Sequence, residues 1–421
     1  MILAVILGSI ALLVVASPVW VFLGLPAALG TLSIGVPGAA IGARAIDAVS
    51  SDTLISIPMF LLVGNVLISS RAMNDLIGFF DSLVGHFKGG MVLVIVTVAM
   101  FFGGISGSTT SEASIMALAL TGPMLATGYP ARFTAGLIAS TATVAILIPP
   151  SIPMILYSSI TGTSVAKLFI AGLVPGITCA LLLGLLGIIV ARRNAYGGSR
   201  PATSNRERLR KLAVALPIMT VPVFIVIGIY GGFATPSEIG AVAAIVSIVI
   251  TQFIYRDLGR ERLWHALVST TRLSAAVMIM NATAQILSWL LTYEQVPQHL
   301  TALLADAHLT PFVFLIAVNL LFLLLGLPLD PPPIMFMTLP ILFPLLTVFG
   351  INPVHFAVLM MVNMTIAQIS PPAGGALFAM ATVAKIPVTD VYRGVLPFMG
   401  VLIVALILIT YVPAISLFLL H

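Results

Sequence analysis

The sequence predicts an all-α polytopic membrane protein, and three bulk properties carry the prediction. Of its 421 residues, 60% are hydrophobic and only 7% are charged, whereas soluble domains carry about 25% charged residues. The mean hydropathy is +1.19. At about 20 residues per membrane-spanning helix, this much apolar sequence allows about a dozen passes. These values exclude a soluble enzyme. Apolar runs without polar alternation also exclude an outer-membrane barrel.

The N-terminal segment contains more apolar sequence than one pass requires. Residues 1–43 lack Asp, Glu, Lys and Arg and are interrupted by Pro18, Pro26 and Gly30. Because no basic residue precedes Arg44, the segment lacks the basic region of a cleaved signal peptide. We expect the first apolar stretch to remain in the membrane.

A basic segment divides the chain. Residues 192–211 contain seven basic residues and one Glu, and loops this rich in Lys and Arg stay in the cytoplasm. We therefore predict a first membrane half at 1–191, a cytoplasmic loop at 192–211 and a second membrane half at 212–421. The expected location is a membrane whose cytoplasmic side carries this loop. The net charge of +5 does not indicate nucleic-acid binding, since the basic residues lie between apolar segments.

The two halves show signs of a repeat. A shift of 222 positions places six Gly and Pro residues of the first half on identical residues of the second. Gly104, Gly128, Pro149, Pro150, Gly172 and Pro175 align with Gly326, Gly350, Pro371, Pro372, Gly394 and Pro397. Duplicated halves with broken helices are typical of secondary transporters, which place their sites at the repeat interface.

Each half contains two segments that an ordinary membrane helix does not tolerate. The first half has a cluster of glycines and hydroxyl residues at 103–111 and three prolines at 149–153; the second has corresponding segments at 326–333 and 370–375. Missing N–H groups leave carbonyls free, and such backbone must face protein or a water-lined cavity. The predicted re-entrant hairpins lie near 101–126 and 326–349, and the predicted breaks at 148–153 and 370–375. The alternative is that these residues are structural kinks and close-packing points.

Ionisable residues near the membrane are functional candidates. Asp330 could bind an ion or cap the following helix, and Glu112 could cap, coordinate indirectly or carry a proton. For Glu238, capping is the favoured interpretation because it follows Thr235 and Pro236. Asn65 and Asn281 are expected to hydrogen-bond between helices.

Enzyme motifs are missing from the sequence. It contains no HExxH, no GxSxG and no Walker loop, which argues against a metalloprotease, a serine hydrolase and ATP-driven pumping. Its single cysteine excludes an intrachain disulfide. We therefore predict that the protein is not an enzyme and needs no organic cofactor.

The chain resembles the large membrane subunit of tripartite ATP-independent periplasmic (TRAP) transporters, the DctM-like permease family. The resemblance runs nearly end to end. Its most specific parts are 106–108, the IPPSIP stretch at 148–153, 161–176, 326–330, 352–356 and 370–374. Two departures stand out: Thr109–Glu112 is unusually polar, and Ala367-Gln368 replaces a more usual Gly-apolar pair.

The resemblance implies an elevator-type ion transporter fold and Na⁺-coupled import of an organic acid. It implies two protein partners, a periplasmic substrate-binding protein and a small membrane subunit. It also implies that the chain itself lies in the bacterial inner membrane, in contact with membrane lipid. The implied substrate- and ion-binding residues are Gly104, Ser106, Gly107, Ser108, Thr109, Thr110, Ile148, Pro149, Pro150, Ser151, Gly326, Pro328, Asp330, Ser370, Pro371, Pro372, Ala373 and Gly374. Those implied for Na⁺ itself are Ser106, Ser108, Pro149, Gly326, Asp330 and Pro371.

Two alternatives remain at this point. The chain could be a Na⁺- or H⁺-coupled organic anion carrier that works without a binding protein. It could also be an assembly or sensing subunit without transport activity, although four cation-ready breaks argue against that.

Overall fold

The computed structural model describes residues 2–15, 17–103, 109–197, 202–306 and 309–420. Within these ranges the chain forms α-helices and no strand. The helices are α1 (Ile2–Val14), α2 (Val19–Ser33), α3 (Gly38–Val49), α4 (Asp52–Ile68), α5 (Ala72–Val84), α6 (Gly90–Phe102), α7 (Thr109–Ala126), α8 (Ala131–Val144), α9 (Ile152–Thr161) and α10 (Val165–Arg193). They continue with α11 (Asn205–Tyr230), α12 (Pro236–Val249), α13 (Arg260–Tyr293), α14 (Val296–Asp306), α15 (Pro311–Leu325), α16 (Pro331–Val348), α17 (Pro353–Ala367), α18 (Gly375–Ala384), α19 (Val388–Tyr411) and α20 (Ala414–Leu417).

The predicted fold class, an all-α polytopic membrane protein, is confirmed. Seven helical stretches of the described chain are long and apolar enough to cross a membrane, and the pair α3 and α4, bent by 53°, could form an eighth. Several remaining apolar helices have 10–17 residues. At 1.5 Å per residue these are shorter than the hydrocarbon thickness of about 30 Å, so they must pair into hairpins or broken helices.

Each half contains one hairpin and one broken helix. In the first half α7 follows α6, and a break separates α8 from α9; in the second α16 follows α15, and a break separates α17 from α18. The expected hairpin ranges near 101–126 and 326–349 contain α7 and α16, and the preceding helices α6 and α15 begin at Gly90 and Pro311. The Thr365 hydroxyl donates to the Thr143 carbonyl at 3.1 Å, and these residues lie 222 positions apart, the shift that relates the repeats.

The two repeats pack across each other. Helix α7 of the first hairpin lies along α18 of the second broken helix, and α16 of the second hairpin lies along α9 of the first. At each hairpin turn a glycine packs on the broken helix of its own repeat: Gly103 faces Ala145 and Gly326 faces Ala367. We call α6–α10 together with α15–α19 the hairpin unit.

The other principal group of helices is called the frame and comprises α2–α4 and α11–α13. Helix α4 packs along α12 and α13. The Asn65 amide donates to the Thr270 hydroxyl at 2.9 Å, and the Asn281 amide donates to the Ala48 carbonyl at 2.8 Å. The predicted interhelical role of both asparagines is confirmed. Thr235 and Glu238 form a reciprocal capping box at the start of α12, which confirms the capping interpretation of Glu238.

Charged residues cluster at one end of the frame, where the α4–α5 connection meets the α12–α13 connection. The Arg71 backbone N–H donates to the Asp257 carboxylate at 2.8 Å, and Arg262 pairs with the same carboxylate at 3.3 Å. Asp75 lies close by, on α5. Burial raises the pKa of Asp75, with Arg71 opposing this shift and Asp257 adding to it. Charge–charge contacts therefore hold the α4–α5 connection against the α12–α13 connection.

The N-terminal helices form a further hairpin. Helices α1 and α2 pack against each other, with Gly8 facing Pro26 and Val5 facing Gly30. They contain 13 and 15 residues, about 20 Å each, so neither spans the membrane alone. The sequence predicts that residues 1–43 contain more apolar sequence than one pass requires. In the structure this region contains the short α1–α2 hairpin and the start of α3.

The predicted basic loop is shorter in the structure than in the sequence-based division. Helix α10 extends to Arg193 and α11 begins at Asn205, so both ends of the 192–211 range are helical. The Arg208 guanidinium donates to the Ser82 carbonyl at 3.1 Å, which attaches the start of α11 to α5.

Candidate substrate and ion site

A cavity of about 240 Å³ lies where the hairpin unit meets the frame. Hairpin residues and the first break supply one wall: Thr109, Ile146, Ile152, Pro153, Asp330, Pro331, Pro332 and Pro333. The frame supplies the other: Val19, Leu61, Leu273, Ala276, Val277 and Met280. Most of these side chains are apolar, and Thr109 and Asp330 are the polar ones.

The tip of the second hairpin directs a carboxylate into this cavity. Asp330 occupies the N-cap position of α16, but its side chain makes no capping hydrogen bond. The next three residues are prolines, which have no N–H to offer in the first turn. Of the two interpretations left open by the sequence, this geometry favours a functional carboxylate over a helix cap.

The residues of the first break are buried, and the hydroxyl group among them is hydrogen-bonded to backbone atoms nearby. Ile148, Pro149, Pro150 and Ser151 are all buried, and the Pro149-Pro150 peptide bond is cis. The Ser151 hydroxyl donates to the Ile146 carbonyl at 2.5 Å and accepts from the Met154 N–H at 3.5 Å. Ser151 therefore caps α9, and its hydroxyl already has two partners.

The second break is more open. Pro372 and Ala373 are exposed, Ser370 and Pro371 are partly buried, and Gly374 is buried. The Pro371-Pro372 peptide bond is also cis. The Ser370 hydroxyl donates to the Ile366 carbonyl at 2.8 Å. The Tyr392 hydroxyl of α19 donates to the Pro372 carbonyl at 2.5 Å, so α19 holds this segment in place.

Oxygen atoms from both hairpins and the second break converge at the start of α18. A β-carbon built on Gly375 would lie 2.9 Å from Gln368 Oε1, 3.0 Å from Thr110 Oγ1 and 3.6 Å from Asp330 Oδ1. Thr110 and Asp330, two of the predicted residues, are thus brought together. Sequence analysis did not include Gln368 among the candidate site residues and noted it only as a departure from the family pattern. The signal was available: a polar residue directly before a break in a charge-free segment.

The remaining predicted residues fall into two groups. Gly104, Ser106, Gly107 and Ser108 lie outside the described residues. Gly326 packs against Ala367, and Pro328 is exposed at the second hairpin tip. Thr109, the first residue of α7, is buried. Its hydroxyl has no hydrogen-bond partner among the described residues.

Residues 4–415 match the family described as the DctM component of tripartite ATP-independent periplasmic transporters. A C4-dicarboxylate TRAP transporter large permease of Pseudomonas aeruginosa is 38% identical over 366 residues, which cover 87% of this chain and 85% of that protein. A sialic acid TRAP transporter large permease of Vibrio cholerae is 31% identical and covers 98% and 97% of the two chains. A 2,3-diketo-L-gulonate TRAP transporter large permease of Escherichia coli is 33% identical, covering 87% and 86%.

A solved structure supports the fold independently. The YdaH transporter of Alcanivorax borkumensis superposes with a TM-score of 0.64 at 13% identity, covering 88% of this chain and 86% of that one. At this identity the likeness concerns the fold alone. The family match over nearly the whole length and the similar permeases show that the chain belongs to the DctM family of TRAP transporter large permeases.

Proposed function

We propose that the protein imports an organic acid with Na⁺ as the coupling ion, and that the hairpin unit moves against the frame to carry it. The observation that carries the proposal is the cavity, whose walls come from both units. A site at the boundary between two packed bodies changes its access when one body moves, as in alternating access.

Apolar side chains form most of the boundary between the hairpin unit and the frame at the cavity, and this favours sliding of one unit against the other. Leu61, Val277 and Met280 of the frame face Ile152 and Pro332 of the hairpin unit across the cavity. Apolar contacts are non-directional, so this surface can shift without breaking specific hydrogen bonds. The polar groups of the cavity, Thr109 and Asp330, both belong to the hairpin unit and would move with the cargo.

Na⁺ coupling rests on the oxygen-rich tip region. A charged carboxylate inside a membrane protein is costly unless it is paired. Among the described residues that line the cavity there is no Lys or Arg, so Asp330 has no basic partner in that wall. Small hard cations take oxygen ligands, and Thr110 and Gln368 supply further oxygens beside Asp330.

The substrate class and the partners follow from the family. The similar permeases are named for C4-dicarboxylate, sialic acid and 2,3-diketo-L-gulonate, all of which are organic acids. A tripartite system implies that a periplasmic binding protein delivers the substrate and that a small membrane subunit completes the permease in the bacterial inner membrane.

The test is uptake into proteoliposomes that contain this chain and its small subunit. Binding protein loaded with a labelled organic acid is added outside, with either an inward Na⁺ gradient or choline in place of Na⁺. We expect uptake only with both Na⁺ and the binding protein. Undiminished uptake in choline would refute the coupling. Uptake of free substrate without the binding protein would favour the independent carrier named above.

A further inference from the structure

We propose that Arg272 of α13 binds a carboxylate group of the transported acid from the frame side, at the cytoplasmic edge of the cavity. The inference rests on the proposed import of an organic acid and assigns one residue of the frame to that cargo. Arg272 directly precedes Leu273 and lies four residues before Ala276, and both of these residues line the cavity. Side chains four residues apart on a helix are neighbours, with about 5–6 Å between their β-carbons. The long Arg272 side chain can therefore reach the cavity.

The orientation of α13 keeps Arg272 out of the packed frame. The residues of α13 that line the cavity recur at spacings of three and four, so they share one face of the helix. The face that packs into the frame contains Thr270 and Ser274, which are buried. Arg272 lies on the side of α13 away from these two residues and is exposed, as are Ala275 and Ala276 in the next turn. Because alanine side chains are short, the space between Arg272 and the cavity stays open.

Basic residues are rare on the helices around the cavity. The lining residues come from α2, α4, α7, α9, α13 and α16, together with Ile146. Of these six described helices, α13 alone contains Lys or Arg, at Arg260, Arg262 and Arg272. At 1.5 Å per residue, Arg260 and Arg262 lie about 15–18 Å before Arg272 along the helix. Arg272 is therefore the basic residue on these helices that lies nearest the cavity.

The charge of Arg272 is not matched within the described part of the chain. The ion pairs there join Lys211 with Glu207 and Arg262 with Asp257, and among the described residues Arg272 makes neither an ion pair nor a hydrogen bond. A guanidinium group stays protonated in proteins, so an anion beside it is favoured. Arginine binds carboxylates through two parallel N–H···O bonds, and a carboxylate is the group that organic acids share.

Arg272 also marks the edge of the apolar part of α13. The stretch from Leu273 to Tyr293 contains no Asp, Glu, Lys or Arg. Arg272 is therefore the last charge on this helix before the membrane core, on the side where α13 begins among basic residues, which is the expected cytoplasmic side. A fixed positive charge at this edge attracts anions. It favours a cargo carboxylate at the point where the acid leaves the hairpin unit for the cytoplasm.

The experiment restores the charge by chemical modification. Arg272→Cys is treated before reconstitution with aminoethyl methanethiosulfonate, which adds a positive charge, or with hydroxyethyl methanethiosulfonate, which adds similar bulk without charge. Uptake is then measured with the small subunit, a Na⁺ gradient and the binding protein, loaded with labelled succinate, sialic acid or 2,3-diketo-L-gulonate, whichever it retains. The single native cysteine, Cys179, is buried, so wild type treated in parallel controls for the reagents. The matched variant is Arg260→Cys, on the same helix but away from the cavity.

We expect Arg272→Cys to lower the initial uptake rate about tenfold or more, because a hydrogen-bonded contact between charged groups is lost. The aminoethyl reagent should restore most of the rate and the hydroxyethyl reagent none of it, while Arg260→Cys should transport like wild type with either reagent. In nanodiscs, the labelled acid should slow the modification of Arg272→Cys, whereas chloride at the same concentration should not. Arg272→Lys should retain more uptake than Arg272→Gln, a comparison that needs no thiol if Arg272→Cys does not fold.

The possible results separate this inference from the proposed function. If wild type takes up the acid and Arg272→Cys does so at the same rate, the role of Arg272 is wrong while the proposed import stands. Equal rescue by the two reagents would show that bulk rather than charge matters and would overturn the inference. Loss of the small subunit from Arg272→Cys, or no protection by the acid, would assign the charge to that subunit or to lipid instead. If wild type takes up no acid, the proposed import fails and this inference fails with it.

Discussion

The close contact between α8 and α19 offers the sharpest test of the packing. Gly394 of α19 lies against the α8 backbone, where an added β-carbon would overlap the Arg132 carbonyl oxygen and stand 3.2 Å from the Gly136 nitrogen. Both obstacles are backbone atoms and cannot rotate away. Gly400 lies on the same helix, yet a β-carbon there would meet no heavy atom within 4 Å. The same substitution at the two positions therefore isolates the effect of helix contact.

The expected magnitude follows from the overlap. Gly394→Ala would force the two helices apart by about 1 Å, and overpacking of this kind costs about 3 kcal/mol. Replacing glycine by alanine inside a helix returns about 1 kcal/mol. The net loss is about 2 kcal/mol, which lowers the melting temperature by about 2–4 °C for a chain of this size. Gly400→Ala should have only the small gain.

The chain provides its own reporter for this measurement. Cys179 is its single cysteine and is buried on α10, so a thiol-reactive fluorophore labels it only when the hairpin unit opens. We expect labelling of Gly394→Ala to begin at a lower temperature than that of wild type and Gly400→Ala. Identical melting of the two variants would refute the proposed backbone contact.

Two further perturbations test the frame. Asn65→Leu removes the hydrogen bonds that join α4 to Thr270 and Ser269 and should cost about 1–2 kcal/mol; an unchanged melting temperature would show that these bonds add nothing. Asp75→Asn tests the raised pKa of that carboxyl: above its folded pKa the charge destabilises the native state, and below the ordinary value of 3.8 both states are protonated and the penalty disappears. We therefore expect Asp75→Asn to raise the melting temperature at pH 7, with a gain that shrinks as the pH falls towards 4; an equal gain at all pH values would contradict this origin.

The presence of the helices could be predicted from the sequence because charge-free runs and prolines are local signals. The repeat could be predicted because the same pattern of glycines and prolines recurs at one shift. Long charge-free runs identify membrane segments, and the proline pairs at 149–150 and 371–372 interrupt helices because proline lacks the N–H that a helix interior needs. The 222-residue shift seen in glycine and proline positions reappears as the direct contact between Thr143 and Thr365.

The frame wall of the cavity could not be predicted in the same way. Val19, Leu273 and Met280 line it, but similar aliphatic residues on the same helices also face lipid or neighbouring helices. Which apolar residue borders a cavity depends on how distant helices pack. Gln368 differs, because a polar side chain in a charge-free segment signals a partner even though the sequence does not identify that partner.

The cross-packing of the repeats constrains how the proposed movement can occur. Since α7 packs on α18 and α16 packs on α9, neither break can shift without the hairpin of the other repeat. The hairpin unit should therefore move as one body. Three parts of the chain connect it to the frame: α5, between α4 and α6; the segment 194–204, between α10 and α11; and α14, between α13 and α15. Helices α5 and α14 stand at equivalent places in the two halves, so we expect these two helices to take up part of the change in geometry, away from the hairpin tips.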